Sequence, residues 1–239
     1  MKKYQAVVFD ADHTLLDYKA DEISALKRLF LSLGLAVSGE ALEWCHSLSE
    51  RAWTEAGLYE VESERIQREY HALYKSHVTR IFEEFFEKYP CTVSPRRAGE
   101  LFLEELCVGG NTLPFAEQTL ASLSAKTGGA YRVCVATNGL ERIQLGRLEG
   151  LKRYCEEIFI SERLGSIKPT AAFFEKMLGL TGVAPNKCLM VGDSLASDIL
   201  GGRKAGMDTC WLNTRGQENK TGVRPTYEIK NLAELTRLL

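Results

Sequence analysis

Short, unbroken apolar runs punctuate this chain, and several of them end abruptly in small or acidic residues. Strand-like runs fall at 4–10, 131–137, 157–160, 187–192 and 208–213. Between the later ones, residues 115–126, 140–149, 170–180 and 195–205 carry apolar positions at helical spacing. Uninterrupted apolar strands separated by helices predict a parallel sheet covered on both faces. Pro169 suits the first turn of one helix, where its missing N–H costs nothing, and Gly206 suits the end of another.

The rhythm breaks between residues 18 and 110, where no run reads as a strand. Instead Ile66, Tyr70, Leu73, His77, Ile81, Phe85 and Tyr89 draw one apolar stripe along a long helix. The expected fold is therefore α/β, a Rossmann-like doubly wound parallel sheet core formed by residues 1–17 and 111–239, with an all-helical cap domain inserted over 18–110. Residues 111–114 make the return crossing, and the two crossings are natural hinges. Cys210-Trp211-Leu212-Asn213 reads as the last strand of the core.

A chain of 239 residues with 45% hydrophobic content can bury a sizeable core. Thirty basic against 32 acidic residues give a net charge of −2, so no overall basic field argues for a nucleic-acid partner. The segment 18–110 carries 11 basic and 16 acidic residues, leaving 19 and 16 for the remainder. The sheet-forming part is thus mildly cationic, which suits a small anionic substrate. The seven cysteines form no Cys-x-x-Cys pair, and Cys134, Cys188 and Cys210 lie in strand-like runs, so they read as reduced core thiols. No apolar stretch approaches the roughly 18 residues a membrane span requires, and Lys2-Lys3 precedes too short a run for a signal peptide. A soluble cytoplasmic protein without a membrane partner is expected, its oligomeric state open.

Asp10-Ala11-Asp12-His13-Thr14 follows the first apolar run. Open α/β sheets bind ligands beyond the carboxyl ends of their strands, and two carboxylates there can supply a nucleophile and a nearby proton carrier. Further along, Val133–Ala136 runs into Thr137-Asn138-Gly139; Ile167-Lys168-Pro169 comes next; and Leu189-Met190-Val191-Gly192 runs into Asp193-Ser194, with Asp198 on the following helix. Taken in this order, these stretches resemble the four motifs of the haloacid dehalogenase superfamily of phosphohydrolases. The long helical insert and the Thr-Cys-Trp-Leu-Asn tail are most similar to its pyrimidine 5′-nucleotidase branch.

The resemblance implies Asp10 as a nucleophile that forms an aspartyl phosphate, with Asp12 giving a proton to the leaving oxygen and later taking one from water. Attack of one anion on another needs a counter-charge, because unit charges about 3.5 Å apart repel by roughly 5 kcal/mol at an effective dielectric near 20. The implied counter-charge is Mg²⁺, held by the Asp10 and Asp193 carboxylates and the Asp12 backbone carbonyl. Asp198 would stand behind them, on a metal water or on Lys168. Thr137, the Asn138 N–H and Lys168 would bind the phosphoryl oxygens.

His13 departs from the acidic or small polar residue usual in related nucleotidases and reads as an imidazole at the mouth of the loop, with a pH-sensitive contact to the leaving group as the alternative. Leu15, Leu16 and Tyr18 fall where the core enters the cap and can line a pocket. Trp53, Tyr59 and Tyr74 are either plain core or a surface on which a base stacks. The implied activity is Mg²⁺-dependent hydrolysis of small phosphorylated metabolites, with nucleoside 5′-monophosphates, pyrimidine ones in particular, as substrates. A sugar-phosphate phosphatase or a phosphomutase would use the same core. A non-enzymatic aspartate-phosphorylated switch also uses strand-end carboxylates, Mg²⁺, a Thr and a Lys, but in about half this length and without an insert. A dehalogenase proper needs neither the acid at Asp12 nor the metal site at Asp193.

Overall fold

The computed structural model describes residues 4–239. Six parallel strands form one sheet: β1 (Ala6–Phe9), β2 (Arg132–Thr137), β3 (Glu157–Ile160), β4 (Cys188–Gly192), β5 (Asp208–Leu212) and β6 (Tyr227–Ile229), in the spatial order β3-β2-β1-β4-β5-β6. All four residues of β1 are buried because β1 is central, with Phe9 paired to Val135 on one side and Val191 on the other. Alternate residues along each strand feed opposite layers. Val7, Phe9, Val133, Val135, Leu189 and Val191 face Leu120 and Leu123 of α5 (Ala116–Leu123), whereas Val8, Cys134, Ala136 and Met190 face Phe173, Phe174 and Met177 of α8 (Ala171–Thr181). Burial on both faces is what made the strands legible as unbroken apolar runs.

Two expectations need correction. β5 is not the last strand, since β6 adds at the edge beside it, with Cys210 paired to Tyr227. Three residues between turns are too few to show a pattern. Pro169 does not open α8 either. Thr170 is its N-cap, accepting from the Phe173 N–H at 3.3 Å, and the Lys168–Pro169 peptide before it is cis. The expected helix over 195–205 divides into a π-helical turn (Leu195–Ile199) and α9 (Leu200–Lys204), closed as anticipated by Gly206 at φ +80. α6 (Glu141–Arg147) and the short α7 (Ser161–Leu164) flank β3.

Between β1 and α5 the chain forms four helices, α1 (Tyr18–Ser32), α2 (Gly39–Glu55), α3 (Glu64–Lys88) and α4 (Pro95–Leu106). Side-chain caps start three of them: Asp17 accepts from Ala20 N–H, Ser38 from Ala41 N–H and Ser94 from Arg97 N–H. The α3 stripe buries Ile66, Tyr70, His77, Ile81 and Phe85, with Leu73 and Tyr89 half-buried, and Phe85 stacks on Phe30 of α1 with ring centres 4.7 Å apart. These side chains form a hydrophobic cluster of their own, joined from the sheet side by Leu140, Ile143 and Ile167. The outgoing and returning segments run antiparallel, bridged at Leu16 and Thr112. The Asp17 N–H donates to Asn111 O at 2.8 Å and the Leu113 N–H to Leu15 O at 2.9 Å.

Among the described residues no helix is long and apolar enough to cross a membrane. All seven cysteines are free; five are buried, while Cys91 and Cys107 are only half-buried.

One buried pair within the insert links its stability to pH. His46 Nδ1 of α2 lies 2.5 Å from Glu22 Oε2 of α1, with Glu50 3.6 Å from its Nε2. The Glu22 hydrogen bond, working against burial, raises His46 above the ordinary histidine value of 6.5. A raised folded value means that protonated His46 stabilises the helix pair fully below about pH 6.5 and loses that contribution as pH rises through the folded value. Urea unfolding of the wild type and His46→Gln between about pH 5.5 and 8.5 should give a stability difference that shrinks with rising pH. A difference that does not move with pH would refute the linkage.

Candidate active site

Asp10, Thr137 and Asp193 lie together at the carboxyl ends of β1, β2 and β4, because these three strands are neighbours in the sheet. The Asp10 N–H donates to Val191 O at 2.8 Å, so the first acid follows directly on the last β1 pairing. Next to it the Asp193 N–H donates to Thr14 Oγ1 at 3.2 Å, and Trp211 Nε1 donates to Asp193 O at 2.9 Å. The loops after β1 and β4 are thereby locked to each other and to strand β5.

Lys168 is fully buried, and its ammonium donates to Asp10 Oδ1 at 2.6 Å, Asp198 Oδ1 at 2.7 Å and Ala136 O at 2.7 Å. Its loop is held by Asn138, whose Oδ1 accepts from the Lys168 N–H at 2.8 Å and whose Nδ2 donates to Lys168 O at 3.0 Å. The Asn138 side chain therefore braces the lysine. Burial pulls the ammonium down, but Asp10 and Asp198 outweigh it and hold Lys168 above the usual lysine range.

Oxygens of Asp10, Asp193 and Asp198 lie within 4.8 Å of one another. Burial raises Asp10 well above the ordinary carboxylate value, Lys168 opposes this, and the charges of Asp198 and Asp193 add to it. Burial and then Asp198 push Asp193 up to about 7. Three converging carboxylates share one ammonium, so the cluster carries negative charge in excess. An all-oxygen donor set with that excess fits a hard divalent cation.

Asp12 points elsewhere. Its carboxylate is outside the three-acid cluster, accepting from Arg147 Nη1 at 2.5 Å on Oδ1 and from Gln144 Nε2 at 2.9 Å on Oδ2. The same Gln144 Nε2 donates to Thr137 Oγ1 at 2.6 Å, and Arg147 Nε donates to Asp21 Oδ2 at 2.7 Å. Gln144, Arg147 and Asp21 were absent from the sequence reading. A faint signal existed, since Gln144 and Arg147 share one face of α6 with the apolar Leu140, Ile143 and Leu148, where polar side chains need buried partners.

His13 is exposed at φ +60, its ring 6.1 Å from that of Tyr18. Leu15 and Leu16 are fully buried. Trp53 meets Tyr70, Tyr74 and His77 edge-on, while Tyr59 is largely exposed. Burial holds the Tyr70 and Tyr74 phenols above the ordinary tyrosine value, and the Asp12 carboxylate adds to this, as expected of side chains close to the Asp12 loop.

An α/β sheet with acids and a lysine gathered at its central strand ends defines a hydrolase of the haloacid dehalogenase type. The family model described as haloacid dehalogenase-like hydrolase matches residues 4–206, and the chain belongs to that family. It is 34% identical to the pyrimidine 5′-nucleotidase PynA of Streptococcus pneumoniae, over 97% of this chain and 93% of that protein. Identity to the pyrimidine 5′-nucleotidase YjjG of Escherichia coli is 32%, over 99% and 98%. The crystal structure of the HAD-hydrolase YfnB from Bacillus subtilis, bound to magnesium, superimposes with a TM-score of 0.82 at 27% identity, covering 100% of this chain and 99% of that one.

Gly192 is required for this geometry, because a Cβ there would sit 2.2 Å from Asp198 Oδ2. Gly192→Ala should push Asp198 off Lys168 and lower hydrolytic turnover by about 10- to 100-fold. Steady-state rates equal to those of the wild type would show that the contact does not matter.

Proposed function

We propose that this hydrolase of phosphoric monoesters acts on pyrimidine nucleoside 5′-monophosphates through an aspartyl-phosphate intermediate. The observation that carries the mechanism is the convergence of Asp10, Asp193, Asp198 and Lys168 at the ends of β1 and β4. The substrate class follows from two relatives of nearly full length that are pyrimidine 5′-nucleotidases.

Lys168 fixes the Asp10 carboxylate through Oδ1 and, with Asp198, sets its orientation. An Asp10 oxygen then bonds to phosphorus as the ester P–O bond breaks, and Asp12 passes its proton to the departing 5′-oxygen. Water next bonds to phosphorus, Asp12 takes its proton, and the Asp10–phosphorus bond breaks to release inorganic phosphate. Thr137 and the Asn138 N–H, at the end of β2, bind the phosphoryl oxygens. Asp10, Asp193 and the Asp12 carbonyl would hold Mg²⁺, which when bound offsets the repulsion between the phosphate and the attacking carboxylate. The magnesium in the YfnB structure supports that choice of ion. The insert, residues 18–110, acts as a cap that excludes water and reads the base and sugar, with Tyr18, Tyr70 and Tyr74 nearest the Asp12 loop.

A panel of nucleoside 5′-monophosphates and sugar phosphates, assayed for phosphate release with Mg²⁺ and with a chelator, tests both parts. Uridine, cytidine and thymidine monophosphates should be hydrolysed fastest, with activity lost on chelation and in Asp10→Asn. Lys168→Ala should lower turnover by about 100-fold or more. Full activity with chelator or in Asp10→Asn would overturn the mechanism; preference for a sugar phosphate would overturn only the substrate.

A further inference from the structure

The buried Arg147 guanidinium joins three distant segments of the chain through its Nε and Nη1. From α6 it reaches Asp12 on the loop after β1 through Nη1 and Asp21 on α1 of the insert through Nε. Asp21 Oδ1 in turn accepts from the Gly110 N–H at 2.9 Å, the Asn111 N–H at 2.8 Å and Asn111 Nδ2 at 2.8 Å, all on the returning segment. The arginine backbone is seated there too. A Cβ on Gly110 would lie 2.8 Å from Arg147 O, and one on the neighbouring Gly146 only 2.1 Å from Cys107 O. Gln144, one turn earlier, accepts from Arg147 Nη1 on Oε1 at 3.1 Å and spends its Nε2 on Asp12 and Thr137.

From this we infer that Arg147 and Gln144 are positioning residues for Asp12, and that Asp21 anchors them to the junction between sheet and insert. The inference rests on the phosphatase reading above and goes beyond it. Asp12 lies on an irregular loop and is held at both oxygens by donors from one helix, so its direction is set by α6. Arg147 acts as a fork whose two arms are fixed in one plane, which a lysine cannot reproduce. The insert thereby contributes to proton transfer without touching the reacting atoms.

Leaving-group chemistry separates positioning from general support. When the ester P–O bond breaks, an alkoxide must take a proton from Asp12, whereas p-nitrophenolate departs without one. The parameter kcat/KM covers steps only through departure of the leaving group. The test compares kcat/KM for uridine 5′-monophosphate, with glycerol 2-phosphate as a second alkyl ester, against kcat/KM for p-nitrophenyl phosphate. In Arg147→Met the alkyl-to-aryl ratio should fall by at least about tenfold. Arg147→Lys, which keeps the charge and loses the fork, should give an intermediate ratio.

Arg147→Met leaves Asp21 buried without its cation, so Asp21→Asn/Arg147→Met is measured beside it. This double variant removes both charges of the pair and should show the same fall in the ratio. Gln144→Met, which leaves that pair intact, should shift the ratio in the same direction. Variants that melt cooperatively but lower both substrates by the same factor, or keep the ratio within about twofold of the wild type, overturn the inference. Failure of the wild type to hydrolyse any of the three esters with Mg²⁺ would instead remove the phosphatase reading itself.

Discussion

Placing three carboxylates at the end of a buried sheet is unfavourable, and the Lys168 ammonium is the interaction that makes it tolerable. Desolvation alone would drive Asp10 and Asp193 to their neutral forms. Lys168, paired with both Asp10 and Asp198, offsets part of that cost and holds the two carboxylates side by side. Removing one member of a buried pair of this kind usually costs about 3 to 5 kcal/mol, because the partner is left uncompensated. The surrounding structure serves that arrangement. Asn138 clamps the lysine backbone, Ser194 donates its N–H to Asp198 Oδ2, and the π-helical turn sets the angle at which Asp198 enters the site.

A second charge network lies a few residues away and answers a different need. Asp12 shares no hydrogen bond with the lysine cluster and is governed from α6. Two acids separated by one residue thus occupy different electrostatic surroundings. Asp10 is tied to a lysine and two further carboxylates, and Asp12 to an arginine and an amide. The first acid is thus positioned from the sheet and the lysine loop, the second from a helix beside the insert.

The sheet was legible because central parallel strands have no polar face, so Val133–Ala136 and Leu189–Val191 could hardly be anything else. Their ends marked Asp10, Thr137 and Asp193 for the same reason, since a side chain just past a buried strand stands where loops open. Lys168 was legible only through its place in the order of motifs. Arg147 was not, because its partners lie 135 and 126 residues earlier in the chain, and no local pattern encodes a meeting at that separation. β6 escaped because three residues carry too little periodicity, and Pro169 misled because an N-terminal proline and a proline just before the N-cap look alike in sequence.

The paired crossing at Leu16 and Thr112 bears on how such a molecule diversifies. Both ends of the four-helix segment leave the sheet side by side, about 5 Å apart as hydrogen-bonded neighbours. To the sheet, everything between them is equivalent to one long hairpin loop, and doubling the length of a flexible loop costs only about 0.6 kcal/mol of closure entropy. Helices can therefore be lengthened, exchanged or rebuilt there with little disturbance to strand order. On the function proposed above, selection on what the molecule recognises is then largely uncoupled from selection on how it performs its chemistry, apart from the acidic side chain, Asp21, that any replacement would have to supply again.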